Sequence, residues 1–250
     1  MARPYRDTPT GPAAVHTVPG QWPTDQPKGI LASRTAGQAT TWDGTPTSSQ
    51  SYRDVQELLT KRGIQVDHLT IYRWVQRFTP LLADAARPCR HAVGDRWGVD
   101  ETYVKVAGRW RYVYRAIDQF GQVIDVFVSA RRDATAARRF FDQAISATKV
   151  TPIEVTTDQA PVYPAVLDER LPAAWHRTDR YANNRVECDH GRLKARLRPM
   201  RGLKQDCSAR VIIVGHGFVQ NLRRAHYDLA SEEPVNQRVA VAFDELALAI

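Results

Sequence analysis

The chain has 250 residues, of which 43% are hydrophobic, and this permits one sizeable core with at most a small additional domain. Its net charge of +8 favours a polyanionic partner, although a surplus of surface charge would give the same balance. No run of about 18 apolar residues and no apolar N-terminal stretch occurs, so we predict a cytoplasmic protein with neither a membrane span nor a signal peptide.

Residues 1–51 differ in composition from the rest of the chain. They contain seven of the 15 prolines and five of the 14 glycines, and they show neither helical nor strand periodicity. Such a composition cannot bury enough apolar surface to offset the entropy of ordering. We therefore predict that this segment is disordered and unrelated to the fold.

Residues 52–79 carry the pattern of two short helices. The first is SYRDVQELLTKRG, which ends at Gly63, and Asp67 can cap the second, DHLTIYRWVQRF. Two helices across a short turn suggest part of a helix-turn-helix, whose second helix would present Arg73 and Arg77 to DNA. An ordinary helical hairpin is the alternative. The sequence offers no third helix before residue 52 to close the core of such a motif.

Residues 80–95 are predicted to be a linker, and residues 96–230 a separate α/β domain. RWGVDETYVKV, RWRYVYRAID and VIDVFVSA form three antiparallel strands with tight turns, and a helix at about 133–147 follows. IEVTTD, PVYPAVLDE, AAWHRT and two long helices complete the order βββ-α-β-α-β-α, which is typical of the ribonuclease H-like fold. Residues 231–250 are a tail that can form a helix.

Asp100 is the first candidate site residue. On a strand of period two it shares a face with Thr102, Val104 and Val106, and a carboxylate on an apolar face is costly unless a metal or another partner compensates it. A solvated strand-end Asp is an equally good interpretation of this segment alone. Glu101 points to the opposite face, and we interpret it as structural.

Asp158 ends the apolar strand IEVTTD, at the carboxyl end where α/β sheets place their sites. Taken alone, the better interpretation of Asp158 is a cap for the following helix, because Pro161 stands near that helix's first turn.

Glu187 lies on a predicted helix that begins near Ala182 and ends at about Arg198. Helical spacing places Asn184, Glu187, Lys194 and Arg198 along one stripe, with Val186, Leu193 and Leu197 on the stripe that packs against the sheet. Residues 191–205 hold six Lys or Arg and no acid, which could be a solvated basic face but better fits a phosphate backbone beside a carboxylate. The candidate DNA-binding residues are Asn184, Arg192, Lys194, Arg198 and Arg201, together with Arg73 and Arg77.

Considered together, Asp100, Asp158 and Glu187 predict a metal-dependent phosphodiester site. Two Mg²⁺ ions about 3.5–4 Å apart can activate a nucleophile and stabilise the leaving oxygen, and carboxylates are the ligands that hold them. Mn²⁺ is able to replace Mg²⁺ as an oxygen-ligated ion.

Three long motifs resemble the DDE transposases of the insertion-sequence-six family. They are WGVDETYVKVAGRWRYVYRAIDQFG, TTDQAPVYPAV and YANNRVECDHGRLKARLRPMRGLK, and the segment YRDVQELLTKRGIQVDHLTIYRWVQRF resembles that family's helix-turn-helix. The resemblance spans about residues 52–230. It implies a ribonuclease H-like catalytic core, divalent metal at Asp100, Asp158 and Glu187, and a DNA contact at Lys194.

The resemblance further implies binding of terminal inverted repeats and target DNA, 3′-end cleavage, strand transfer, and a homo-oligomer assembled on paired ends in the bacterial nucleoid. Two departures qualify it. Only 28 residues separate Asp158 from Glu187, fewer than is usual in the family, and residues 1–51 do not resemble the family's N-terminal helical segment. The alternatives are an inactive DNA-binding remnant, a nuclease of the same fold that cuts without joining, and a structural α/β protein whose acids are incidental.

Overall fold

The computed structural model describes residues 50–179 and 183–250, all of which belong to one compact unit. The prediction of disorder for residues 1–51 therefore concerns residues that, apart from the last two, lie outside the described part of the chain. The predicted helix start near Ala182 also lies outside it.

Two helices open the described chain, as the sequence predicts: α1 (Tyr52–Lys61) and α2 (His68–Ala85). The Ser51 side chain accepts a hydrogen bond from the amide of Asp54, whose carboxylate accepts one from the amide of Ser51, so α1 begins with a complete capping box. Asp67 caps α2 by accepting from the amide of Thr70 at 2.6 Å. These local signals explain why both helix starts are readable from sequence.

Helix α2 extends six residues into the segment that we interpreted as the linker 80–95, and a 3₁₀ turn over Arg87–Cys89 follows it. Proline inside a helix normally ends or kinks it, yet Pro80 lies within α2. Tertiary packing overrides that signal, because Leu82 and Ala86 are buried against α6 (Asp206–Arg223) and α7 (Val235–Ala247). The segment that was predicted as a linker therefore begins as part of a helical core.

The sheet has five strands in the order β3-β2-β1-β4-β5. Its first three strands are antiparallel, and β4 and β5 run parallel to β1. The strands are β1 (Arg96–Val106), β2 (Arg109–Asp118), β3 (Val123–Ser129), β4 (Glu154–Thr156) and β5 (Trp175–Arg177). Strand β4 pairs with β1 only over residues 96–98. Within the described ranges 50–179 and 183–250, the next pairing on that side of β1 is an isolated bridge between Val106 and Leu203.

Helices cover both faces of the sheet. One face packs on α3 (Ala134–Thr148) and α4 (Val162–Arg170), through a core that includes Trp97, Phe140 and Tyr163. The other face packs on α5 (Asn184–Leu197) and α6. Strand β1 supplies both cores, because Val99 faces the first and Val104 faces the second.

From β1 to α5 the observed order is βββ-α-β-α-β-α, and together with the strand order it confirms the predicted ribonuclease H-like fold. The tail 231–250 forms α7, which buries Ala242 and Leu246 in the core shared with α2 and α6. Within residues 50–179 and 183–250, no helix combines the length and the apolar character that crossing a membrane requires.

Candidate active site

Asp100 lies near the middle of β1, where the strand loses its neighbour β4. Its side chain is 16% exposed, and it lies on the face of β1 that carries the buried residues Thr102 and Val104, as the alternation predicts. One carboxylate oxygen accepts from the amide of Glu101 at 2.8 Å, and the other lies 3.3 Å from Nδ1 of His190.

Asp158 follows β4 at the carboxyl end of that strand. Its Oδ1 accepts from the amide of Ala160 at 3.1 Å, and its side chain is 42% exposed. Helix α4 begins after Pro161 without any side-chain cap, so Asp158 is not the helix cap that the sequence favoured when this residue was considered alone. The carboxylate is instead held in a short turn, and its other oxygen, Oδ2, lies 3.6 Å from the guanidinium of Arg132.

Asp100 and Asp158 converge, and Glu101 joins them. Each of the three offers a carboxylate oxygen, and these oxygens lie within 4.8 Å of one another. Our interpretation of Glu101 as merely structural is therefore too narrow: the residue does point away from the Asp100 face, but β1 is open at this level and both side chains reach Asp158. Three hard oxygen donors at this spacing fit a divalent cation such as Mg²⁺.

The Glu101 carboxylate is almost completely buried, with a side-chain exposure of 2%. It accepts a hydrogen bond from the hydroxyl of Tyr163 and forms an ion pair with Arg132, which also lies 3.6 Å from Asp158. Burial raises the pKa of Glu101 above its ordinary value, although Tyr163 and Arg132 act in the opposite direction. The cluster thus concentrates negative charge that Arg132 only partly compensates.

Helix α5 approaches β1 closely at its first turn. The side-chain amide of Asn183 donates to the carbonyl of Val99 at 2.9 Å, and a Cβ on Gly98 would lie only 3.1 Å from the Asn183 Oδ1. Glycine at position 98 therefore permits this approach. Since Asn183 contacts Val99 and His190 contacts Asp100, the first two turns of α5 are fixed over the centre of β1.

Glu187 lies in the first turn of α5 and is exposed. It is not among the three carboxylates that lie within 4.8 Å of one another. It does stand four residues after Asn183 and three before His190, and helix periodicity puts such positions on one face. Glu187 is thus on the same side of α5 as Asn183 and His190, which contact Val99 and Asp100 of β1.

A buried ion network fixes the same helix to the sheet. Asp189 on α5 pairs with Arg115 on β2 and with Arg224 after α6, and both Asp189 and Arg115 are fully buried. Burial by itself would raise the pKa of Asp189, but the two guanidinium groups outweigh it and lower that pKa below its ordinary value. Asp189 is therefore a charged anchor between Glu187 and His190.

All seven residues that the sequence assigned to DNA binding are exposed in the structure. Arg73 and Arg77 lie on α2, and Asn184, Arg192 and Lys194 lie on α5. Arg198 begins the 3₁₀ turn that follows α5, and Arg201 follows that turn. The Nζ of Lys194 reaches across the open edge of β1 to within 4.8 Å of the centre of the Tyr103 ring.

Sequence patterns alone do not identify several residues at the site. Glu101 could have been found by the argument used for Asp100, because it is the single acid on the face of β1 that carries Trp97 and Val99. Arg132 and His190 gave no such signal. Their roles depend on contacts with Glu101 and Asp100 that the sequence does not record.

Comparison with known proteins places the site in a family context. Residues 94–226 match a family model described as a DDE domain. The chain is 38% identical over 151 residues to the transposase for insertion sequence-like element IS431mec of Staphylococcus aureus strain Mu50, covering 58% of this chain and 67% of that one. The transposase for insertion sequence element IS257 in transposon Tn4003, also from Staphylococcus aureus, is similar to the same extent.

Solved structures give a weaker likeness. A chain of the simian T-cell lymphotropic virus intasome, in complex with PP2A regulatory subunit B56 gamma, aligns over 53% of this chain and 51% of its own length. The sequence identity is 20% and the TM-score is 0.42. The strand order and helix placement described above define the fold.

Proposed function

Because the chain belongs to the DDE transposases of the insertion-sequence-six family, we propose that it cleaves the 3′ ends of an insertion sequence and joins them to target DNA. The observation that supports this most directly is the convergence of Asp100 and Asp158, which are 58 residues apart in the sequence and within 4.8 Å in space. We assign the catalytic carboxylates to Asp100, Asp158 and Glu187.

A divalent cation fits this site. Asp100, Glu101 and Asp158 would hold it, and Glu187 would supply a further carboxylate from α5, which His190 and Asn183 hold over β1. We infer two Mg²⁺ ions, with Mn²⁺ able to replace them. When bound, such ions activate the attacking oxygen and stabilise the charge on the leaving oxygen.

Arg132 has a defined task in this proposal. Without a cation, its guanidinium compensates the negative charge of Glu101 and Asp158. A divalent cation held by the same carboxylates would take over that compensation, which frees a half-exposed guanidinium beside the site. We propose that Arg132 then contacts a phosphate of the DNA strand, since a guanidinium suits bidentate phosphate contacts.

DNA is the proposed partner on two surfaces. The first is the exposed face of α5 and the turn after it, with the residues Asn184, Arg192, Lys194, Arg198 and Arg201. The second is α2, with Arg73 and Arg77, which would read the terminal inverted repeats as part of a helix-turn-helix. The helix-turn-helix assignment, target-DNA binding, the assembly of a homo-oligomer on paired ends and a nucleoid location are part of the proposal.

The test is a strand-transfer assay with Mg²⁺ and DNA carrying the element's own inverted repeats. Joined product is expected from the native chain and not from Asp100→Asn. Cleavage without joining would instead indicate a ribonuclease H-like nuclease. Binding without either reaction would indicate a DNA-binding remnant and would overturn the proposal.

A further inference from the structure

Two large aromatic side chains are exposed next to the site. Tyr103 on β1 is 55% exposed and Trp110 on β2 is 53% exposed. Their ring centroids are 5.1 Å apart and the rings are perpendicular. Exposing two large aromatic rings to water is unfavourable, because their apolar surface stays unburied. Such a pair therefore suggests a ligand with a flat apolar face.

The β1–β2 hairpin holds the pair in a defined position. Tyr103 pairs with Tyr112 and Lys105 pairs with Trp110, so Tyr103 and Trp110 are diagonal neighbours on one face of the sheet. The connecting turn is Ala107–Gly108, and both residues have positive φ, as in the tight turn that suits a hairpin twist. The strand register therefore places both side chains next to each other on one face of the sheet.

Two lysine ammonium groups contact these rings. The Nζ of Lys105 lies 5.6 Å from the centre of the Trp110 ring, and that of Lys194 lies 4.8 Å from the centre of the Tyr103 ring. At exposed positions such cation–π contacts are weak enough to exchange for a phosphate contact. We call Tyr103, Trp110, Lys105 and Lys194 together the aromatic platform.

The aromatic platform lies close to the carboxylate cluster. Tyr103 follows Glu101 by two residues on the same strand face, which places it about 7 Å further along β1. Lys194 is on α5, seven residues after Glu187. A DNA strand that follows β1 from the carboxylate cluster towards the Ala107–Gly108 turn would reach the platform within about 7 Å.

We propose that the aromatic platform binds single-stranded DNA, with unpaired bases stacked on Tyr103 and Trp110 and phosphates held by Lys105 and Lys194. The inference rests on the proposed function, since the single strand would be the unpaired end of the DNA under reaction. Base faces are hidden inside a duplex, so paired DNA would gain only the lysine contacts. The platform of a second copy is a poor occupant, because in a symmetric contact the ammonium groups of Lys105 and Lys194 would face those of the copy and repel them.

Binding without metal tests the inference separately from catalysis. The full chain is titrated, in excess chelator, against a fluorescent oligothymidine of about ten nucleotides and against a blunt duplex. Trp110→Ala is expected to weaken single-strand binding by about 5- to 150-fold and to leave duplex binding nearly unchanged. Trp110→Phe keeps an aromatic face and should restore most of the affinity.

Trp175→Ala is the matched control. Trp175 is 63% exposed and also has a guanidinium near its ring, that of Arg177. Trp175 on β5 pairs with Glu154 on β4, which pairs with Arg96 on β1. Arg96 is seven residues before Tyr103, so Trp175 is about 23 Å from Tyr103 along the strand direction. This variant should change single-strand affinity by less than about twofold.

Three results would overturn the inference. The first is single-strand binding that does not change in Trp110→Ala. If sedimentation then shows that the variant has a different oligomeric state, the surface is an interface between copies of the chain. The second is an equal loss on blunt duplex, and the third is an equal loss in Trp175→Ala. If the native chain joins no DNA ends but its single-strand affinity still depends on Trp110, the proposed function fails and the aromatic platform stands.

Discussion

The guanidinium of Arg115 on β2 and the carboxylate of Asp189 on α5 form an ion pair in which neither side chain is exposed to solvent. Asp189→Asn leaves the Arg115 charge buried without its partner, and we expect it to lower the free energy of unfolding by about 3–5 kcal/mol. Urea unfolding at neutral pH measures this. The matched control is Asp206→Asn, which breaks the pair between Arg111 and a carboxylate that is 59% exposed, and it should lower the free energy of unfolding much less than Asp189→Asn does. Equal effects of the two variants would contradict the anchoring role of Asp189.

His216 on α6 should make stability depend on pH. Burial, reinforced by Arg115, lowers the pKa of His216 from 6.5 to about 3. The unfolded chain therefore takes up a proton below pH 6.5 that the folded chain does not take up until about pH 3, so stability falls as the pH falls through that window. His216→Gln should flatten the dependence of the unfolding free energy on pH between 7 and 5. The pKa of Asp189 is lowered, so its contribution is present above the ordinary carboxyl pKa and is lost only below this interval. An unchanged slope in His216→Gln would rule out the role given to this residue.

Asp100→Asn should remove chemistry and keep DNA binding. The amide retains the shape of the side chain but loses the negative charge that holds a cation, so strand transfer should fall by about 100-fold or more. Binding of the inverted-repeat DNA, measured by anisotropy, should stay within about twofold of native. Asp179→Asn, an exposed residue paired with Arg177, should leave both unchanged. Loss of DNA binding together with activity would indicate that Asp100 has a folding role instead.

Glu101→Gln tests whether this carboxylate helps to hold the metal. A rise of Tm with increasing Mg²⁺ reports cation binding, because a ligand of the folded state stabilises it. In the variant, the Mg²⁺ concentration that gives half of the rise should increase by about 10- to 100-fold. Glu154→Gln on β4 is the control, since Glu154 is also a largely buried acid that pairs with arginines but lies outside the carboxylate cluster. If Glu101→Gln and native protein respond equally to Mg²⁺, Glu101 is not a ligand.

Lys194→Ala should reduce the salt dependence of DNA binding. Loss of one phosphate contact lowers the slope of log K against log salt by about 1, and affinity should fall on all duplex sequences alike. The control residue is Lys149, an exposed lysine at the end of α3. It precedes β4, whereas Asp158 follows that strand, so Lys149 is at the other end of β4 from the carboxylate cluster. Lys149→Ala should leave the slope unchanged. A slope that is the same in Lys194→Ala and native protein would remove Lys194 from the DNA surface.

The sequence predicts most of the fold because most elements carry local signals. The Asp67 cap, the alternation along β1 and the turn at Ala107–Gly108 each involve neighbours in the chain, and the structure reproduces all three. The end of α2 could not be predicted in this way. Pro80 signals a helix end locally, and the burial of Leu82 by α6 and α7 depends on residues more than a hundred positions away.

The candidate site is predictable to a similar degree. The pattern predicts Asp100 and Asp158 as site residues because they are acids on or just after strands, and the structure brings their carboxylates together. Asp189 is next to a predicted site residue but carried no signal of its own, because its meaning comes from Arg115 on a strand that is 74 residues earlier. The role of Glu187 stays a prediction. Long-range ion pairs are the part of a site that composition and periodicity do not reveal.

The packing of α2 has one more consequence. Its Tyr72 hydroxyl lies 2.5 Å from the Ser208 hydroxyl of α6, and its later turns share a core with α6 and α7. Arg196 of α5 also donates to the carbonyl of Gln50, just before α1. The helix that carries Arg73 and the helix that carries Glu187 are thus joined through direct contacts and a shared packing partner, α6. If α2 binds duplex DNA as proposed, the distance between α2 and the carboxylate cluster sets the number of base pairs between the bound sequence and the cleaved bond.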